Sequence, residues 1–421
     1  MKFYKNLSMA NKILLLMVVG LVFGFLFKGY YSYWSQVTTP IGDIFLRLLK
    51  MTILPLVFFS IISGISSIAD MKKLKKIGGR FLVFWAIASV LSALAGIFWA
   101  YIIKPGVGVS IEAPAEEYST EGVSIIESLV GWVPENVFEA FVNFNLIQVI
   151  VFAMFLGIAI TLMPEGSVKS GLSKAFDAGN TLMNRVIEIV MGFSPIGVLC
   201  LMANVAGSLG SEVLGALGKM LLTQYIAYAT LIVIVFPAIL LLIARVNPIK
   251  HFKNIFPVMI MAFSSCSSSL TLPMTMKCTK ERCGVPSENV DLIAPPAATI
   301  NMQACCAEMP IYAIFAAQLF GRDYDVGELI VIIIMGCVMA AGAAGVPGGG
   351  IMMSAIMMQT MGLPLTIVPW VAGIYRLIDM PNTTLNVTGD TVGMVTVSAL
   401  LGDLDRDTFN AEKPNFISDK K

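Results

Sequence analysis

The sequence predicts an all-α polytopic membrane protein, and three observations carry that prediction. Of its 421 residues, 57% are hydrophobic and 13% charged, whereas soluble domains run near 45–50% apolar and about 25% charged. Apolar segments long enough to cross a bilayer recur along the whole chain. Basic residues cluster in alternate connections between those segments, the signature of cytoplasmic loops. The mean hydropathy is +0.82. A net charge of +1 gives no electrostatic case for nucleic acid.

Taken in order, eight apolar segments fall near 13–33, 41–67, 80–103, 124–163, 186–207, 220–244, 289–320 and 364–401. The first follows Lys2, Lys5 and Lys12 as a signal peptide would. No small-residue cleavage site follows it, only the aromatic stretch Lys28-Gly-Tyr-Tyr-Ser-Tyr-Trp34, so it reads as a retained span with an interfacial belt. The fourth is too long for one simple span and is expected to break around Pro134 and Asn143. Two further segments, near 254–277 and 328–362, are apolar but interrupted by Ser, Gly and Pro.

Loop charge orients the chain. Lys72, Lys73, Lys75, Lys76 and Arg80 follow the second span; Lys169 and Lys174 follow the fourth; Arg245, Lys250 and Lys253 follow the sixth; Lys277, Lys280 and Arg282 follow the first interrupted segment. Glu112, Glu116, Glu117 and Glu121 lie between spans three and four instead. All basic clusters share one side only if each interrupted segment enters and leaves by the same face. The expected architecture is therefore eight transmembrane spans plus two re-entrant helical hairpins, in a multi-pass protein of the cell membrane with both termini cytoplasmic.

The interruptions are chemically distinct. Ser264-Ser-Cys-Ser-Ser-Ser-Leu-Thr-Leu-Pro273 supplies hydroxyls, and Gly342-Ala-Ala-Gly-Val-Pro-Gly-Gly-Gly350 supplies bare backbone. Non-helical backbone at membrane depth is tolerated only inside protein or along an aqueous cavity, and paired interruptions of this kind mark transporter binding sites. Close helix packing through small residues is the competing explanation for Gly348, Gly349 and Gly350. In the last span, Asp379, Asn382, Thr383, Asn386 and Asp390 are spaced so that they share one side of a helix. Two carboxylates on one membrane stripe demand a partner, an ion or water. Thr299-Ile-Asn-Met-Gln303 places a further polar break in the seventh span, with Asn301 and Met302 as candidate ion ligands.

These motifs together resemble the dicarboxylate/amino-acid:cation symporters, the family of the glutamate transporters, in a variant like its neutral-amino-acid carriers. The resemblance covers nearly the whole chain. It rests on Arg47-Leu-Leu-Lys-Met-Thr-Ile-Leu-Pro-Leu-Val-Phe-Phe59, the Ser-rich tip ending at Pro273, Thr299-Ile-Asn-Met302, Gly345-Val-Pro-Gly-Gly349 and Asn386-Val-Thr-Gly-Asp390. It implies inverted repeats, a homotrimer and an elevator mechanism. The implied scaffold is residues 1–78 (spans one and two) and 105–215 (spans four and five). The implied transport domain is 79–104 (span three) and 216–405 (span six, both hairpins, spans seven and eight), with a cytoplasmic tail at 406–421. Ser268, Ser269, Val346, Gly348, Asp379, Asn382, Thr383 and Asn386 would bind substrate. Thr299, Asn301, Met302, Asn386 and Asp390 would bind sodium, with second-hairpin carbonyls around Ala340–Ala343. Sodium is the implied coupling ion, with no organic cofactor and no enzymatic activity.

Departures from the family pattern sharpen the expectation. Members that bind acidic substrates carry Arg at the position of Asn382; its planar fork suits a carboxylate. Asp379, which matches a substrate ammonium, is kept. The combination predicts an amino acid with a neutral side chain. Arg376 lies six residues before Asn382, roughly 240° round the helix, and is expected to pair with Asp379. Gln303 replaces the Asp of the family's Asn-Met-Asp, and Trp85 and Ala88 replace two further oxygen-bearing ligands, so a third sodium site is expected to be absent. Glu308 sits one residue before the position where proton-linked relatives carry Glu, which leaves proton coupling, and an acidic amino acid or dicarboxylate as substrate, as the alternative.

Two other classes are more distant. An intramembrane hydrolase built on the Ser cluster needs a base, and the single His in the chain, His251, is expected at a Lys-flanked interface. A channel could use the hairpin tips as a filter, but the Asp379/Asp390 stripe suits an occluded amino acid and cation better. The seven cysteines read as free thiols; Cys278 and Cys283 make a weak metal signal.

Overall fold

The computed structural model describes residues 7, 9–66, 77–109, 130–208, 210–342 and 348–412, and among them the chain is helical with no strand. The loops carrying Lys72 to Lys76 and Glu112 to Glu121, the backbone at Ala343 and Val346, and the tail beyond 412 lie outside the described residues.

Helix α1 (Met9–Leu26) ends where a turn at Lys28–Tyr30 begins, and α2 (Tyr31–Ser66) then runs 36 residues through Pro40 and Pro55. The first apolar segment therefore stops at Leu26 rather than running to residue 33. The Trp34 indole donates to the Phe27 carbonyl at 2.9 Å, closing the turn and drawing the aromatic belt into α2. Helix α3 (Gly79–Ile103) follows. The long fourth segment breaks as expected into α4 (Val137–Val142) and α5 (Leu146–Leu162), each started by an asparagine whose side chain accepts from the first turn. Helix α6 (Ser167–Gly192) bends by 53° into α7 (Ser194–Ser208). Helix α8 (Gly210–Thr230) continues through wide turns at Leu231–Val235 and Leu240–Ala244, which flank Pro237 and its missing N–H.

The two interrupted segments are helix pairs. Helices α9 (Pro248–Ser265) and α10 (Ser268–Glu281) pack on each other about a break at Cys266 and Ser267. Cys266 adopts left-handed backbone (φ 52°) and Ser267 caps α10. Helices α11 (Ser287–Ile300) and α12 (Gln303–Leu319) are separated by Asn301 and Met302. Helix α13 (Val326–Ala341) opens with a capping box from Asp325 and Glu328, held by Arg322 at 2.6 Å. Helix α14 (Gly349–Thr360) precedes α15 (Val368–Leu401) and the short α16 (Arg406–Asn410).

Among the described residues, three stretches, Lys28–Ser66, Gly79–Ile103 and Val213–Ala244, are long and apolar enough to cross a membrane, and the bent pair α6–α7 passes the same test jointly. The helices that carry the site are different: all of α12 but Gln318 is buried, as is most of α15. Helix α12 packs against α3, α8, α13, α14 and α15. A central helix wrapped by others is where a polar stripe gains partners instead of lipid.

Candidate functional site

Two backbone breaks and one continuous helix build the site. At the first break, the Ser265 hydroxyl accepts from the Ser267 N–H (3.3 Å) and lies 3.2 Å from Thr271, while Thr271 donates to the Ser267 carbonyl (2.8 Å). Ser268 is buried and Ser269 half-buried at the rim of a cavity of about 520 Å³ shared with Arg376. The Arg376 guanidinium donates to the Ser264 carbonyl at 3.2 Å rather than pairing with Asp379. That corrects the expected Asp379–Arg376 ion pair: the Cys266 cap on α9 satisfies the Ala262 carbonyl but leaves the Ser264 carbonyl in need of a donor, which Arg376 supplies.

At the second break, Asn301 donates to Asp390 Oδ1 at 2.8 Å, and the Ala304 N–H donates to Asn386 Oδ1 at 2.8 Å. Gln303 donates to Asn301 Oδ1 at 2.6 Å, and its own Oε1 is buried without a partner. Gly389 makes room for that oxygen: a Cβ there would collide with it. Thr299 donates to the Pro296 carbonyl (2.9 Å), and Met302 is buried beside the break. One carboxylate with several neutral oxygens is a donor set for a hard monovalent cation. The Trp85 indole donates to the Ile300 carbonyl at 2.9 Å, occupying a carbonyl freed by the break.

The stripe on α15 is assembled as its spacing requires. Asp379 accepts from the Gly348 N–H (3.3 Å) and from Thr383 (3.4 Å), both long bonds that leave the carboxylate weakly held. Asn386 donates to Asn382 Oδ1 at 2.7 Å. Asn382 in turn donates to Glu308 Oε2 and to the Tyr228 hydroxyl (3.3 Å). Glu308 is fully buried; Tyr312 donates to its Oε1 at 2.6 Å and Tyr228 to its Oε2 at 3.2 Å. The hydroxyl of Tyr375 accepts from the Gly350 N–H at 3.0 Å, fixing the start of α14 beside Glu308.

Of the residues singled out in the sequence, Asp379 joins Thr383 and Gly348, Asn382 joins Asn386, and Asp390 joins Asn301, as three hydrogen-bonded groups. Ser268 and Ser269 share the first break but make no hydrogen bond to α15, and Val346 lies outside the described residues. Tyr228, Tyr312 and Cys305, whose Sγ lies 3.7 Å from the Asn382 amide, were missed. Only the four-residue spacing of Glu308 and Tyr312 carried a local signal. His251 is buried, not interfacial: it bonds Thr391 at 3.1 Å and stacks on Phe409, because α16 folds over the base of α9. It gives the Ser cluster no base.

Residues 9–400 match the family described as the sodium:dicarboxylate symporter family. Over 97% of both chains, the sequence is 30% identical to the proton/sodium-glutamate symport protein of Bacillus caldotenax. It is 31% identical to the neutral amino acid transporter B(0) of Bos taurus, over 84% of this chain and 71% of that protein. It is 28% identical to the C4-dicarboxylate transport protein of Pseudomonas savastanoi pv. phaseolicola, over 94% of this chain and 87% of that protein. These relatives are transporters, not enzymes.

Proposed function

Because the chain belongs to the sodium:dicarboxylate symporter family, we propose that it carries a small amino acid or dicarboxylate across the membrane with two kinds of cation, sodium at Asp390 and a proton at Glu308. The observation that carries this reading is the Glu308 carboxylate, buried among Tyr228, Tyr312 and Asn382 beside the α15 stripe. Three neutral donors hold it and no cation touches it, so a proton is its simplest counter-charge. The names of the bacillar relatives, which pair protons or sodium with glutamate, point the same way.

In this reading Asp379 takes the substrate ammonium. The hydroxyls of Ser268, Ser269 and Thr383 and the backbone near Val346 and Gly348 take its carboxylate. Sodium sits among Asp390, Asn301, Asn386, Thr299 and Met302. Protonated Glu308 donates a hydrogen bond toward a substrate side-chain oxygen, so an acidic substrate is accepted without an arginine. Helices α3 and α8 to α15 move as one body against α1, α2 and α5 to α7, within a homotrimer whose chain ends face the cytoplasm.

A second reading keeps the neutral side chain. It is favoured by the absence of any guanidinium on the stripe and by the Asn382 amide, already bonded to Glu308. The bovine relative's name agrees with it.

Uptake into proteoliposomes with sodium and pH gradients imposed separately tests both. The expected result is glutamate or aspartate uptake driven by either gradient, and loss of the pH response alone in Glu308→Gln. A wild type driven by sodium alone, and preferring alanine or serine over aspartate, sinks the first reading and leaves the second.

A further inference from the structure

Helix α9 turns one narrow face outward. Ile249, Lys253, Phe256, Ile260 and Phe263 are all exposed and follow one another at four- and three-residue spacing, a single stripe on a helix. His251, Asn254, Ile255, Val258 and Ala262, on the other side, are buried toward α10, α15 and α16. The outward stripe is apolar except at its base. There Lys250, Lys253 and Arg282 line a groove of about 710 Å³ together with Phe256 and Met259, against one carboxylate, Glu412. Lys250 donates to the Ala411 carbonyl at 2.8 Å, which points its ammonium into the groove and leaves two further donors.

We propose that this groove holds the headgroup of an anionic phospholipid, with an acyl chain lying along Phe256, Ile260 and Phe263. Lys250 and Lys253, facing the one carboxylate among the described lining residues, attract a phosphate diester and give a zwitterionic headgroup less. From Lys253 to Phe263 the stripe rises ten residues, about 15 Å, half of a hydrocarbon core of about 30 Å, the reach of one leaflet. A free phosphate would gain nothing from an apolar stripe that continues out of the groove. Helix α9 is half of the hairpin whose tip carries Ser267 and Ser268, so the lipid ties that hairpin to the surface of the bilayer.

The test uses the full chain in mild detergent and native mass spectrometry, offering phosphatidylglycerol, phosphatidylcholine or inorganic phosphate. Retention of phosphatidylglycerol over phosphatidylcholine is expected, undiminished by excess phosphate. Lys253→Gln is expected to lower that preference about fivefold, and Lys250→Gln with it by a similar factor again. Phe256→Ser is expected to reduce retention of both lipids. Equal retention of the two lipids, a preference unchanged in the lysine variants, or displacement by phosphate alone each overturns the proposal. Lys253 is exposed and Phe256 about half exposed (54%), so loss of folding does not confound those two arms, and an unchanged melting temperature is required of the Lys250→Gln arm, whose side chain holds the Ala411 carbonyl.

Discussion

Asn382 donates its amide to the carboxylate of Glu308 and so joins α15 to α12 at the centre of the molecule. The direction of every bond around it is set by inventory. The Ala304 N–H has to donate, which makes the bonded atom of Asn386 its oxygen. The Asn386 nitrogen then donates to the Asn382 oxygen, and the Asn382 nitrogen donates to Glu308. The helix break at Asn301 and Met302 is thereby linked through two amides to a buried carboxylate. Asn382 therefore has no free donor for a substrate unless it leaves Glu308 or Tyr228.

Asp390→Asn is expected to abolish the sodium dependence of substrate binding while the protein still folds. Asp390 is buried, and among the described residues its carboxylate is held by the neutral amide of Asn301. An amide in its place removes the only formal negative charge of that donor set, so an ion stripped of water at this depth loses its compensation. Binding measured in detergent across a sodium series gives the answer. A variant that keeps the wild-type sodium response takes Asp390 out of the ion site.

Fewer sodium ions are expected to accompany each substrate than in relatives with an intact Asn-Met-Asp motif. The Trp85 N–H fills a carbonyl at the second break, and Gln303 offers a neutral oxygen where those relatives have a carboxylate. Reversal potentials in proteoliposomes report the stoichiometry. A value equal to that of intact-motif members contradicts the expectation.

The backbone breaks and the stripe were legible in the sequence because their signals are local. Ser and Pro punctuation placed the interruption at Cys266–Ser267, the polar run Thr299 to Gln303 placed the one at Asn301–Met302, and helical spacing placed Asp379 through Asp390 on one face. What was not legible depends on long-range contact. Tyr228 lies 154 residues from Asn382 in a helix that also carries Lys219, Thr223, Gln224 and Tyr225, and its spacing does not single it out as a partner. The burial of His251 depends on Phe409, 158 residues later by numbering, folding back over α9. The end of α1 at Leu26 was hidden because a hydropathy window does not register a turn closed by an indole hydrogen bond.

Gly24→Leu is expected to destabilise the protein by about 1–3 kcal/mol, the usual cost of overpacking. Gly20 and Gly24 lie against the backbone of α7, where any Cβ would collide with the carbonyls of Leu199 and Ala203. This is close packing through small residues at four-residue spacing. Gly29, in the turn after α1, has nothing within 4 Å of the corresponding position, so Gly29→Ala is the neutral control. Thermal unfolding in detergent compares the two. Equal melting temperatures remove the packing argument.

Substrate preference is expected to turn on Asn382 and Glu308 as a pair. Asn382→Arg alone places a guanidinium against a carboxylate that Asn382 already touches. The buried ion pair forms inside the protein, and the fork is not available to a substrate. Aspartate affinity should then not rise, because the paired Glu308 carboxylate also loses the proton it would share with an acidic substrate. With Glu308→Gln added, the partner becomes neutral and the fork is free. A charge-assisted hydrogen bond contributes about 1.5–3 kcal/mol, so aspartate should gain roughly tenfold to a hundredfold over alanine and serine in the double variant. Tyr375 limits the gain, because its hydroxyl is held by the Gly350 N–H and offers no second carboxylate to orient the arginine. A competition panel of aspartate, glutamate, alanine and serine on wild type, single and double variants decides it. If Asn382→Arg alone gains as much for aspartate as the double variant does, Glu308 is not what occupies the amide, and the pairing does not set specificity.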